Sequence, residues 1–399
     1  MPPPLDLSVA IGLPPERAVE YFRAKGYAVT ANWHDLWQEA HAKAFTVAGA
    51  MRMDVLQDIR GEVERAIAGK VTQADFIKNL EPKLKAKGWW GPQVLSDPET
   101  GDTRIAQSGS PARLKTIFRT NLQAAFMAGR YKQMMENVQF RPYWQYVAVM
   151  DKKTRPAHAV LNGLVFHHTD PFWLFFFPPC GFNCRCTVRP LSFADIEARG
   201  ISTSVSGEYL RQVWAVDKRT GLTERVSVFK APWMKRGGRT DLGWNYNPGR
   251  AAWQPELDRY DHQVAKQYVA GSVTGPDFER FVVGKDEGTF AVAVVDPADQ
   301  AMLGAKSKAV LLSDDTLAKQ KKSHPEIGLA DYQRVQEIMD KGEVYRQGEL
   351  RLMFLQVAGE WYRAVVKVTK DRAELFLVSL FRSRASEADK VRKSLEKVR

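Results

Sequence analysis

Between residues 50 and 90 the apolar positions fall at helical spacing. Val55, Ile59, Val63 and Ile67 recur every four residues until Gly69 interrupts them, which predicts an amphipathic helix with a glycine end. Thr72 followed by Asp75 predicts the start of a second helix, with Phe76, Leu80 and Leu84 on one side and a kink at Pro82. Residues 30–90 thus read as mostly helical, closing at Gly88-Trp89-Trp90. The stretch 96–111 is polar and rich in turn formers, and reads as a loop. From Arg113 to about Met135, Leu114, Ile117, Leu122, Ala125 and Phe126 predict a longer helix. The pattern then changes: PYWQYVAVMD reads as a strand, its partner pieces up to Ser192 are short, and strand-like patches in 205–250 end in GWNYNPG.

The last third has a different texture. AVLLSDDT (309–316) reads as a short strand running into a helix start. DYQRVQEIMDKG (331–342) reads as a helix with Val335, Ile338 and Met339 inward. Three strand-like runs follow, joined at Gly359-Glu360 and at 370–372 by connections short enough for hairpins, which predicts an antiparallel meander. A charged helix from Ser386 to about Lys397 closes the chain. The fold class is α+β: a helical N-terminal region over 1–110, a loop-rich core over 111–250, a linker over 251–284 and a separate small domain over 285–399. No internal repeat is visible.

With 44% of its residues hydrophobic and 11% aromatic, the chain reads as a folded protein of two or three domains. The longest apolar run, Phe172–Phe177, stops at Pro178-Pro179, so no membrane span is expected. The opening MPPPLDLSVAIGLPP has neither a basic start nor a long apolar core, and is not expected to be a secretory signal. The net charge of +12 is uneven: residues 111–160 hold nine Lys/Arg against two acids. That predicts a polyanionic partner, nucleic acid first, or else a solvated face or an acidic protein partner.

All three cysteines, Cys180, Cys184 and Cys186, lie within seven positions. Thiolates ligate zinc, a structural site needs four ligands, and His158, just past the predicted strand, is the best fourth; His167 and His168 are alternates. A buried reduced cluster and a disulfide remain open beside zinc, although clustered cysteines in so long a chain point to a reducing compartment during folding. A catalytic cysteine lacks a recognisable base nearby. A metal nuclease on Asp151, His158, His167, His168 and Asp170 is chemically conceivable, but a histidine pair before a Pro-aromatic run reads more simply as structural.

Several of these stretches occur together in one order: Arg119-Thr120-Asn121, the aromatic strand to Asp151, Arg155 with His158, Gly163, Pro178-Pro179 and Cys184-Arg185-Cys186. This resembles the phage Mu F-like head morphogenesis (minor head protein) family over about 113–192, extending plausibly over 35–250. Cys180 departs from the pattern, since many members carry His there. The resemblance strengthens the zinc reading. It implies a protein of the phage head that associates with portal and capsid proteins in the host cytoplasm during virion assembly and faces phage DNA. The last domain resembles the phage barnase/EndoU/colicin/RelE-like nuclease domains through Lys319, Lys322, His324 and the meander. That implies metal-independent RNA cleavage with His324 as acid or base, Lys319, Lys322, Arg346 and Arg382 as charge, and Ser379 as a hydrogen-bond donor. The alternative is a non-enzymatic DNA- or RNA-binding virion protein whose last domain is an inactive docking module.

Overall fold

The computed structural model describes residues 15–96, 101, 103–218, 220–253, 255–286 and 288–399. The Pro-rich opening and part of the 96–111 stretch lie outside the described residues. The chain divides into two units, one running to Pro255 and one from Glu256 to Arg399 that also takes in Ala24–Tyr27. Helix and strand are mixed throughout, which makes the fold α+β. No helix among the described residues is long and apolar enough to cross a membrane.

The first unit begins with α1 (Pro15–Arg23), α2 (Met53–Ile67) and α3 (Gln73–Ala86). Val55, Ile59, Val63 and Ile67 are all buried on one side of α2. At α3 the Thr72 hydroxyl accepts from the Asp75 N–H at 3.2 Å while the Asp75 carboxylate accepts from the Thr72 N–H at 3.1 Å. That reciprocal cap satisfies two N–H groups that the helix itself cannot. The helix continues through Pro82. Where a loop was expected, β1 (Pro92–Ser96) and β2 (Thr103–Gln107) form an antiparallel hairpin. Its alternation is short, and its opposed apolar pair, Val94 and Ile105, stands 69% and 78% exposed, so no buried face announces it.

Helix α4 (Pro111–Glu136) follows, started by Ser110, whose hydroxyl accepts from the Arg113 N–H, and by Pro111 in the first turn. Then come β3 (Tyr143–Val147), the short α5 (Pro156–Ala159), β4 (Val165–His167), α6 (Phe172–Phe175) and β5 (Thr187–Leu191). The strands form an antiparallel sheet in the order β4-β3-β5. Strand β5 is an edge strand, and side chains close its open side. Gln123 donates to the Cys186 carbonyl, Arg130 to that of Val188 and Arg141 to that of Pro190. Three carbonyls that an added strand would use are thereby occupied. Past the short α7 (Phe193–Ala198), β6 (Leu210–Val216), β7 (Thr223–Phe229) and β8 (Gly238–Arg239) form a second small sheet, and α8 (Pro248–Trp253) closes the unit. The core between these elements is aromatic: Trp144, Tyr146, Phe166, Phe172, Phe176, Phe177 and Phe229 are buried together with the three cysteines.

In the second unit, residues read as a linker form α9 (His262–Val273) and α10 (Pro276–Val282). Val264, Ala265, Tyr268 and Val269 give α9 a buried face that a linker would lack. Next come β9 (Thr289–Val294), α11 (Pro297–Leu303), β10 (Ala309–Ser313) and α12 (Asp314–Ser323). The helix expected over 331–342 is two pieces, α13 (Leu329–Tyr332) and α14 (Val335–Lys341). The meander is β11 (Glu343–Gln347), β12 (Leu350–Val357), β13 (Glu360–Val368) and β14 (Leu375–Ser383). Ala358 and Gly359 both adopt positive φ in the β12–β13 connection, as a tight two-residue hairpin turn requires. The last helix, α15 (Ala385–Lys393), is shorter than expected, because Glu396–Lys397 pairs as β15 against β11. The seven strands lie in the order β9-β10-β14-β13-β12-β11-β15, with β10 and β14 parallel and the other pairs antiparallel.

Candidate metal centre

His158, Cys184 and Cys186 are brought together, with their ligand atoms all within 4.8 Å of one another and all three residues buried. Cys180 lies outside that group. Its thiol faces the Tyr146 hydroxyl at 3.9 Å. All three cysteines are free thiols.

The loop that carries them is pinned from several sides. Arg185, between two of the cysteines, makes a two-pronged contact with Asp151 at 2.8 and 2.5 Å, tying the loop to the turn after β3. The guanidinium holds the Asp151 carboxyl well below the ordinary carboxylate range. Arg155, just before α5, donates to the Phe182 carbonyl at 2.8 Å and pairs with Asp241 at 3.0 Å. The Asp241 backbone N–H donates to the Cys180 carbonyl at 3.0 Å. Gly181 is required here, since a Cβ at that position would stand 2.2 Å from an Asp241 carboxylate oxygen.

His158 Nδ1 lies 3.7 Å from the Cys184 sulfur, while Nε2 faces an Asp241 oxygen at 4.0 Å. Nε2 is buried and makes no hydrogen bond. The Cys186 thiol, and after it His158, pull the Cys184 thiol well down from its ordinary value, whereas burial pushes the Cys180 thiol well up. Two thiols and an imidazole, buried, converging and with a carboxylate behind them, match three of the four donors of a tetrahedral zinc site. Asp241, which sequence reading missed, faces the His158 Nε2 side at 4.0 Å without a hydrogen bond. Its signal was faint: one Asp among turn residues, some eighty positions after His158.

The histidine–aspartate constellation suggested for a metal nuclease is dispersed. His167 bonds Thr169, Asp170 accepts from the Phe172 and Ser206 backbone N–H groups, and the His168 ring rests near Trp144. The basic stretch 111–160 is also largely used internally. Arg113, Arg119, Arg130, Lys132, Arg141 and Arg155 each bond a carbonyl, an amide oxygen or a carboxylate.

In the second unit the six residues expected to carry catalysis separate into groups, Arg346 lying on β11 and paired with Glu396 at 3.5 Å. His324 ends α12 with its ring stacked on Phe381, centroids 4.9 Å apart. The Ser379 hydroxyl donates to Gln320. Lys319 and Lys322 are exposed on α12. Arg382 is committed elsewhere: it clasps the buried Asp331 carboxylate at 2.9 to 3.1 Å, and the Tyr362 hydroxyl donates to the same group at 2.9 Å. Strand alternation places Arg382 on the opposite face of β14 from Phe381.

Residues 57–189 match the family described as Phage Mu protein F like protein. The chain is 48% identical over 252 residues to a protein named putative capsid assembly protein F of Escherichia phage Mu, covering 62% of this chain and 57% of that one. It is 43% identical over 232 residues to the Mu-like prophage FluMu F protein of Haemophilus influenzae, covering 57% and 55%. The chain thus spans little more than half the length of these relatives. No solved structure matches it. The residues that match this family, from within α2 into β5, include His158, Cys184 and Cys186.

Proposed function

We propose that this chain is a phage minor head protein that acts in virion assembly, associating with portal and capsid proteins in the host cytoplasm and remaining in the head. The observations that carry the reading are the 48% identity over 252 residues to a protein named for capsid assembly and the family match at residues 57–189. Deleting the gene should then leave defective heads, and restoring it in trans should rescue them. Normal infectious heads without the protein would sink the proposal. Phage DNA is a weaker expectation, since few of the clustered cations are left without an internal partner.

Within this function the cysteine centre is structural. His158, Cys184 and Cys186 would hold zinc, with Cys180 as the nearest further thiol and Asp241 orienting the imidazole. Zinc would supply cross-linking of the loop to α5, in a region where aromatic packing is rich but regular structure is short. Arg185 and Arg155 hold the loop in register for that purpose.

A second activity is proposed for the other unit, RNA cleavage, favoured by the stacking of His324 on Phe381 of β14, two residues along the strand from Ser379. His324 would take the proton from a ribose 2′-hydroxyl. That oxygen would bond to phosphorus as the bond to the 5′-oxygen breaks, the 5′-oxygen taking a proton from water, giving a 2′,3′-cyclic phosphate and a 5′-hydroxyl. Producing the full chain in bacteria should be toxic and the His324→Ala form tolerated; equal harmlessness would leave the unit as a docking module.

A further inference from the structure

Phe381 is the meeting point of two basic side chains from different elements. The His324 ring lies parallel to it, 8° between planes, and the Arg363 guanidinium lies 3.7 Å from its centroid. Arg363 sits directly across from Phe381 in the β13–β14 pairing, and Ser379, two residues from Phe381, shares its face. The Ser379 hydroxyl is held by Gln320, which also donates to the Leu380 carbonyl, so α12 fixes both His324 and Ser379 against β14.

Arg363 differs from Arg351, which is also half-buried with an enclosed Nε but donates to the Gly348 and Leu350 carbonyls. Arg363 itself is half-buried, its Nε is enclosed without a hydrogen-bond partner, and it forms no ion pair with a carboxylate among the described residues. The nearest acid acting on it is Glu387, and the acid beside His324 is Glu326 at 3.3 Å. Arg382, by contrast, has both prongs filled by Asp331. A half-buried guanidinium with unused donors, sharing one aromatic ring with an imidazole, offers the charge and hydrogen bonds that a phosphodiester requires. Simple covering of the core by the arginine stem explains the cation–ring contact. It does not explain the imidazole stacked on the same ring.

We infer that Phe381 is the floor of a phosphodiester-binding subsite for single-stranded RNA, gripped by Arg363 and His324, with Arg363 and not Arg382 as its principal cation. The inference rests on the RNA reading of this unit, but concerns binding and not cleavage. The test titrates the full chain with a short uncleavable 2′-O-methyl oligoribonucleotide. Arg363→Gln should weaken binding at least tenfold and lower the salt slope by about 0.7, the share of one phosphate contact on a single strand. Arg363→Lys should fall between the two, and Lys370→Gln, a remote exposed control, should change affinity less than twofold. Arg363→Gln behaving like the Lys370 control would overturn the subsite. In the unmodified chain the His324 ring resonances should shift on adding the oligonucleotide, a reading that needs no variant to fold; unshifted resonances would likewise overturn it. Incubation with ordinary RNA separates the two proposals. Arg363-dependent binding without cleavage sustains the subsite and removes the ribonuclease, whereas cleavage with affinity unchanged by Arg363→Gln does the reverse.

Discussion

Replacing Arg382 with Met tests whether that residue is structural or chemical. Its partner, Asp331, has a side chain only 4% exposed, and the bidentate pair is that carboxylate's main compensation for leaving water. Breaking a buried pair from one side typically costs about 3–5 kcal/mol. Here the loss is smaller. Arg382 itself is 38% exposed, and Asp331 keeps the Tyr362 hydroxyl at 2.9 Å and the Gly328 N–H at 2.8 Å. About 2–3 kcal/mol remains, equivalent to about 30- to 150-fold in an opening equilibrium. Hydrogen exchange by mass spectrometry on peptides covering β13 and β14 reads this directly in the full chain. Exchange should accelerate by that factor, and the Asp331→Asn/Arg382→Met double variant should recover much of it, because neither charge is then left alone. Unchanged exchange in Arg382→Met, with any loss confined to RNA cleavage, would refute the structural assignment.

Two further outcomes follow from packing and charge. Gly249, in the closing GWNYNPG stretch, lies against Tyr131, where an added Cβ would stand 2.2 Å from the tyrosine Cβ. Gly249→Ala should therefore cost about 1–3 kcal/mol through overpacking and lower the thermal midpoint of the first unit. In the second unit, hydrogen bonds from Lys397 and then Arg392 hold the Glu343 carboxyl down at about 2. A depressed carboxyl stabilises the fold above its ordinary value of 4.5, and that stabilisation fades as pH falls from there towards 2. Protection of β11 and β15 should drop a few-fold over this window, solvent screening keeping the effect small, and Glu343→Gln should flatten the dependence.

Much of the second unit was legible in the sequence, because its strands are long apolar runs separated by short turns. The β12–β13–β14 meander and the β10-to-α12 switch are of that kind. What escaped was set by non-local partners. The β1–β2 hairpin buries neither Val94 nor Ile105, so its pattern looks like a loop. The break between α13 and α14 falls just after Asp331, whose carboxylate caps the start of α13 and binds Arg382, and no periodicity reports those contacts. At the cysteine centre, His158 was visible from its place after the strand, whereas Asp241 is joined to it only by the fold. The basic stretch misled for a related reason. Charge counts do not reveal that Arg130 and Arg141 end on carbonyls of the β5 edge.

The account turns on the cysteine loop being a metal-held staple and not a catalyst. Elemental analysis of the purified full chain is its most direct test. One zinc per chain is predicted, reduced to background in Cys184→Ser together with loss of protection in β5 and α5. A metal-free chain that is folded, with Cys184→Ser leaving that protection unchanged, would contradict it.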